Sequence, residues 1–341
     1  AAVASGLRVA LGRSGAAAAR PAPSPEAHAA YLEGRYHLAR GTPPALARAK
    51  SSFELAIAQD PGFALAYDSL AELYWYSGFF GNAPPREAFS QSTWNALRAL
   101  ELDDTLGPTH ALLGMLRKEL DYNWPEVDRE LGRAMELCPE SPLVRLRYAI
   151  SGLLPHGRVD EGMAEIEGLL TTDPLSLLTR WWMAVMAHLA RKPDRAIREG
   201  RHMISLDPAH FFGHWSLGMG LLDQGATPEA VAAFEKANEL SGGAPFTLGF
   251  LARSYGCAGR AGDARRLIGM AEAMAHQAYV PPTTLALGYI GLGEWGAALE
   301  WLDRAIDVRD PIIMPIKTFP FLDPVRGGER YRALLRKMRL S

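Results

Sequence analysis

The feature that most constrains this chain is a recurring stop signal. Asp60-Pro61, Cys138-Pro139, Asp173-Pro174, Asp207-Pro208 and Asp310-Pro311 punctuate the sequence, and the prolines at 139, 174 and 208 are spaced by 35 and 34 residues. Each pair closes a helical phrase of one type, among them "AKSSFELAIAQDP", "VDRELGRAMELCP", "GMAEIEGLLTTDP" and "AIREGRHMISLDP". Proline cannot continue a helix, because it lacks an N–H and its ring clashes with the preceding turn. A fixed period forces one conclusion: the chain is a stack of like units, not a single core wrapped in irregular elements.

A period near 34 made of two helices is the sign of tetratricopeptide repeats. In "FFGHWSLGMGLLDQGATPEAVAAFEKANELSGG" Leu217-Gly218 and then Leu221 fall where the repeat expects Leu-Gly and an aromatic, Ala230-x3-Phe234 and Ala237 supply the next phrase with the small residues that close helix crossing needs, and Gly225 ends the first helix. Eight units follow, at about 30–61, 64–104, 107–139, 143–174, 177–208, 211–242, 245–278 and 279–310. The second is about nine residues too long, and the excess near "SGFFGNAPPREAF" reads as an extended loop. The sixth carries Gly242 in place of the proline, and the seventh ends in "AHQAYVPP". The expected fold is all-α: eight antiparallel helix pairs in a right-handed superhelix of about one turn, residues 25–310. Residues 311–341 read as an extended segment and a polar capping helix, which a solenoid end requires. Residues 1–24 read as a helix stub and an Ala/Pro-rich linker.

Composition excludes several classes. The 341 residues are 48% hydrophobic and 22% charged with a formal net charge of −2, which speaks against direct nucleic-acid binding. No stretch reaches the roughly 18 uncharged apolar residues of a membrane span. Cys138 and Cys257 are too far apart in sequence to suggest a disulfide framework and do not fix the compartment; a cytoplasmic setting is expected over a periplasmic one. The first residues lack a Met and a signal-peptide pattern, and the chain reads as cut from something longer.

The stretches "AYLEGRYHLARGTPPALARAKSSFELAIAQDPGFALAYDSLAELY" and "FLDPVRGGERYRALLRKM" resemble the C-terminal tetratricopeptide region of large bacterial signalling proteins. In that group the repeats follow a winged-helix, adenylate cyclase or Ser/Thr kinase domain. The resemblance covers about residues 25–341. It implies an interaction or sensory module and carries over no catalytic residue.

Enzyme signatures are missing: no phosphate-binding Gly-x-x-x-x-Gly-Lys-Ser/Thr, no Gly-x-Ser-x-Gly and no His-Glu-x-x-His occurs. His210 and His214 have metal-ligand spacing, but they stand at a helix entry and read as packing or capping. Gly259–Arg266 mimics a phosphate loop but reads as an inter-helix turn, and Asp103-Asp104 as a helix stop. No cofactor or metal is expected. Projecting the repeat onto its concave face selects Tyr31, Asp68, Trp75, Arg147, Trp181, His188, Phe212, Trp215, Met219 and Arg253 as ligand-binding candidates. Trp181 reads as a groove contact and its neighbour Trp182 as packing. Trp181 and Trp215 are expected to flank one ligand group, with Arg253 anchoring a carboxylate nearby. The leading function is capture of a protein or peptide segment in the groove to regulate an upstream effector. The alternatives are a sensor of a small apolar ligand and a scaffold subunit of an enzyme complex.

Overall fold

The computed structural model describes residues 22–340 except 41, 42 and 82, so the helix stub and most of the linker fall outside the described residues. Sixteen helices form eight antiparallel pairs: α1 (Pro25–Leu38) with α2 (Pro43–Gln59), α3 (Ala64–Phe79) with α4 (Pro85–Leu102), α5 (Gly107–Asp121) with α6 (Trp124–Leu137), and α7 (Pro142–Tyr148) with α8 (Val159–Thr172). Then come α9 (Leu177–Leu189) with α10 (Pro193–Leu206), α11 (Phe211–Asp223) with α12 (Thr227–Leu240), α13 (Pro245–Cys257) with α14 (Ala261–Ala275), and α15 (Pro282–Gly291) with α16 (Trp295–Val308). A last helix, α17 (Glu329–Lys337), packs on α16. There is no strand among the described residues.

The aspartates in the punctuation have a physical task. The carboxylates of Asp60, Asp103, Asp173 and Asp207 each accept from the backbone N–H two residues on, at 3.0, 3.1, 3.2 and 3.0 Å. These Asx turns reverse the chain between one unit and the next. One set of alanines in the second helices, Ala49, Ala56, Ala134, Ala230, Ala237, Ala298 and Ala305, is fully buried, because that is where paired helices touch. Gly225 adopts φ +81, as a helix stop in the left-handed region demands. In the last two units the first helices approach backbone to backbone: a Cβ on Gly291 would sit 2.4 Å from Arg253 O, and one on Gly256 2.3 Å from Gly291 C.

Two features depart from the sequence reading. The extra residues of the second unit do not make a long loop. They lengthen its helices to 16 and 18 residues and leave only residues 80–84 between them. Residues 311–328 are not extended but fold into turns and two 3-10 segments, Pro311–Ile313 and Pro320–Val325. Extended chain would leave backbone groups unpaired in an apolar groove, whereas turns satisfy them locally. The Arg326 side chain fastens this strap by donating to the carbonyls of Lys317 and Phe319. Ile313, Met314, Ile316 and Leu322 are at most 5% exposed and pack with units three and eight.

The superhelix also returns on itself. Trp124 Nε1 donates to Met338 O at 3.1 Å, Arg86 Nε donates to Asp307 O at 2.9 Å, and the Arg309 guanidinium lies 4.4 Å from the Tyr122 ring centroid. The third unit therefore touches the eighth and the cap, and the strap fills much of the space that they enclose.

Candidate functional site: an aromatic cleft on the concave face

The lengthened α3 carries Trp75, Phe79 and, just beyond its end, Phe80 across the groove toward unit five. Trp75 stacks on Phe79 at 4.9 Å, and Phe80 lies 6.4 Å from Trp181 and 6.0 Å from Phe212. On the other side α7 loosens into a π-turn over Ala149–Leu153 and a 3-10 turn over Leu154–His156. Such wide turns are uncommon, and they re-aim side chains; here Ile150 and Leu154 turn into the groove.

Between these elements lies a cleft of about 320 Å³. Its walls include Trp75, Tyr76, Phe79, Phe80, Trp181 and Trp182, with Leu178 among the aliphatic residues completing the lining. Its polar part is a three-member cluster. Arg35 donates to Glu72 at 2.8 Å, and Arg147, 5% exposed, donates to Pro108 O at 2.8 Å and reaches Glu72 at 3.4 Å. Two guanidinium groups thus share one carboxylate. Asp68 stands close by and accepts from Thr109 Oγ1 at 2.7 Å; burial pushes its carboxyl above the usual carboxylate range. A second, smaller space is lined by Trp181, Trp182, His188, Trp215 and Met219 together with strap residues.

Of the ten residues selected from sequence, the structure brings Trp75, Arg147 and Trp181 to the cleft, and Trp181, His188, Trp215 and Met219 to the smaller space. Phe212 supports the wall from behind, 4.3 Å from Trp181. Tyr31 is elsewhere, packed on Phe53 and Phe63, and Asp68 is held by Thr109 outside the cleft lining. Arg253 lines neither space: Phe321 of the strap covers its guanidinium at 4.6 Å, and its Nε and Nη1 have no hydrogen-bond partner.

The reading of the tryptophan pair needs correcting. Trp181 is 4% exposed and belongs to the core, whereas Trp182 is the partly exposed ring. Trp181 and Trp215 meet edge to face at 6.4 Å, so the two rings pack on each other and do not stand on either side of a ligand group. The concave-face assignment of Trp181 was geometric; Phe80 and Phe212 then cover it. Sequence reasoning also missed Arg35, Glu72, Phe79, Phe80, Lys118 and the strap. The overlong second unit, with two adjacent phenylalanines, was the available signal for two of them.

His210 stands at the start of α11 and His214 in its first turn. His214 Nε2 contacts Pro208 O at 3.1 Å, and burial pushes His210 below the usual histidine pKa. Among the described residues no cluster of three His, Cys, Asp or Glu is arranged to hold a metal ion, and no helix is long and apolar enough to cross a membrane.

No family model matches the chain, and no curated protein matches it. Solved structures do. A monomeric IFIT1 mutant solved with m7Gppp-AAAA is similar over 92% of this chain and 72% of its own, with a TM-score of 0.64 and 16% identity. The human IFIT1 dimer with PPP-AAAA gives 0.59 and 17% over 83% of this chain and 72% of its own. YrrB, described as a tetratricopeptide protein with an unusual peptide-binding site, is similar over 55% of this chain and 91% of its own, at a TM-score of 0.36 and 14% identity. At such identities the likeness is one of fold. The chain is an all-helical tetratricopeptide-type superhelix.

Proposed function

We propose that the chain is a non-catalytic binding module that holds an apolar side chain or short apolar segment of a protein partner in the cleft beside Trp182, and so reports on an effector domain. The cleft itself carries this reading: about 320 Å³ enclosed by aromatic and aliphatic side chains with one charge-shared polar corner. A concave, mostly apolar cleft of this volume with a few convergent polar groups is the usual form of a binding site, and Trp is the residue type most often dominant at interfaces. The resemblance to the repeat region of bacterial signalling proteins supports placing an effector next to it. Capped and triphosphate RNA accompany the IFIT1 structures, but phosphate recognition calls for unopposed positive charge. Here Arg35 and Arg147 share Glu72, and the formal charge is −2. Protein capture is favoured over RNA.

A peptide display selection on the intact chain tests this. Leu178 lines the cleft at 51% exposure, so Leu178→Asp alters it without touching the core. Selected peptides should carry an aromatic or aliphatic anchor and lose about 30-fold in affinity on Leu178→Asp, the size of one hot-spot contact near 2 kcal/mol. Peptides that bind wild type and variant alike would refute the cleft as the site.

A further inference from the structure

Beside the cleft lies the smaller, open-mouthed space, about 70 Å³, where a single water needs roughly 10–15 Å³. Phe79, Ile150, Trp181 and Trp182 line both spaces and form the partition between them. The lining of the smaller space is apolar except for Lys118 and His188.

Lys118 is 4% exposed. Its ammonium donates to Ser151 Oγ at 3.2 Å and lies 3.1 Å from Glu119 Oε1. Glu119 Oε1 nevertheless makes no well-aligned hydrogen bond. An ammonium has three hydrogens, so at least one is left for a third acceptor. Three more polar atoms of the same lining lack partners: Trp181 Nε1, Trp215 Nε1 and His188 Nε2. His188 is held by its other nitrogen, Nδ1, 2.5 Å from Asp223 Oδ2. Buried polar groups are almost always satisfied. With Nδ1–H donating to Asp223, the neutral imidazole leaves Nε2 as an acceptor; three donors remain with spare capacity, Lys118 Nζ and the two indole N–H groups, and they point to a missing acceptor.

We propose that this second pocket binds a small apolar molecule bearing one acceptor oxygen, a carbonyl or a carboxylate, which takes the spare hydrogen of Lys118. Its apolar body packs against Val185, Met219 and Met314, and it enters past Trp182, the only partly exposed indole of the partition. This rests on the reading of the chain as a binding module, but the two sites separate cleanly. Leu178 lines only the cleft and Val185 only the second pocket.

NMR titration of the full chain with three four-heavy-atom probes of one shape, small enough for this space, decides it: isobutane, acetone and acetate. The ketone, the carboxylate or both should bind at least tenfold more tightly than isobutane, the effect of one hydrogen bond to a charged donor. Which of the two binds better tells a neutral from an ionised ligand. Lys118→Met should erase that preference, Val185→Phe should abolish binding by filling the pocket, and Leu178→Asp should change it less than twofold. Should Lys118→Met fail to fold, the probe series on wild type and Val185→Phe still decide. No binding of any probe, equal binding of all three, or binding indifferent to Val185→Phe would overturn the proposal. Loss on Leu178→Asp alone would return the probes to the cleft.

Discussion

Replacing Trp181 with Ala is the sharpest test of how the concave face is packed. A Trp side chain buries about 150–250 Å², and at about 25 cal/mol per Å² its loss costs roughly 4–6 kcal/mol as an upper bound. Trp181 is 4% exposed and contacts the rings of Phe212 at 4.3 Å, and of Trp215 and Phe80 at 6.4 Å. Its indole N–H has no partner, so truncation breaks no hydrogen bond and leaves no orphaned acceptor. The expected loss is therefore that of a core truncation, about 3–5 kcal/mol. Trp182 is partly exposed and meets the rings of Trp181 at 4.7 Å and Phe79 at 6.3 Å. Its truncation should cost on the order of 1–2 kcal/mol. Urea unfolding of both variants, followed by helical circular dichroism, measures the difference. Units of a solenoid can unfold separately, so the comparison needs coincident transitions by tryptophan fluorescence. If Trp182→Ala proves as costly as Trp181→Ala, the arrangement of Phe80 and Phe212 over Trp181 is wrong.

Gly291→Ala would place a methyl 2.4 Å from Arg253 O, and despite a gain in helix propensity it should destabilise by about 1–3 kcal/mol; a raised melting temperature would contradict the close approach of α13 and α15. Asp310 gives a pH test. It is 1% exposed and accepts from Thr283 N, Thr283 Oγ1 and Ile312 N at 3.0, 2.6 and 3.0 Å, yet burial raises its carboxyl above the usual range. A raised folded pKa means a contribution fully present below the unfolded value of about 3.9, and lost as pH rises through the folded one. Wild type should therefore lose stability relative to Asp310→Asn as pH climbs from about 4 toward neutrality, measured by paired thermal melts, and a difference that stays flat or reverses would refute the assignment.

The repeat was legible because its signals are local. An Asx turn, a proline stop and an alanine at a helix crossing each act within a few residues, so spacing alone placed eight helix pairs. What the chain does on returning after a turn is not local. Trp124 meets Met338 across 214 residues, and Phe321 reaches Arg253 and His188 from a strap whose turns no period announces. The strap's apolar density in "PIIMPIKTFPFL" was visible, and so many buried-type residues need a groove to enter. The candidate site divides along the same line. Trp75, Arg147 and Trp181 are placed by repeat register and do reach the cleft. Arg35, Glu72 and Lys118 owe their positions to contacts between units, for which their own helices give no periodic cue. The tryptophan pair makes the physical point. Register fixes the direction in which a side chain leaves its helix, but burial is decided by what the rest of the chain lays over that direction. Phe80, carried in by an overlong helix, turns the groove-facing ring into core and leaves its neighbour at the cleft.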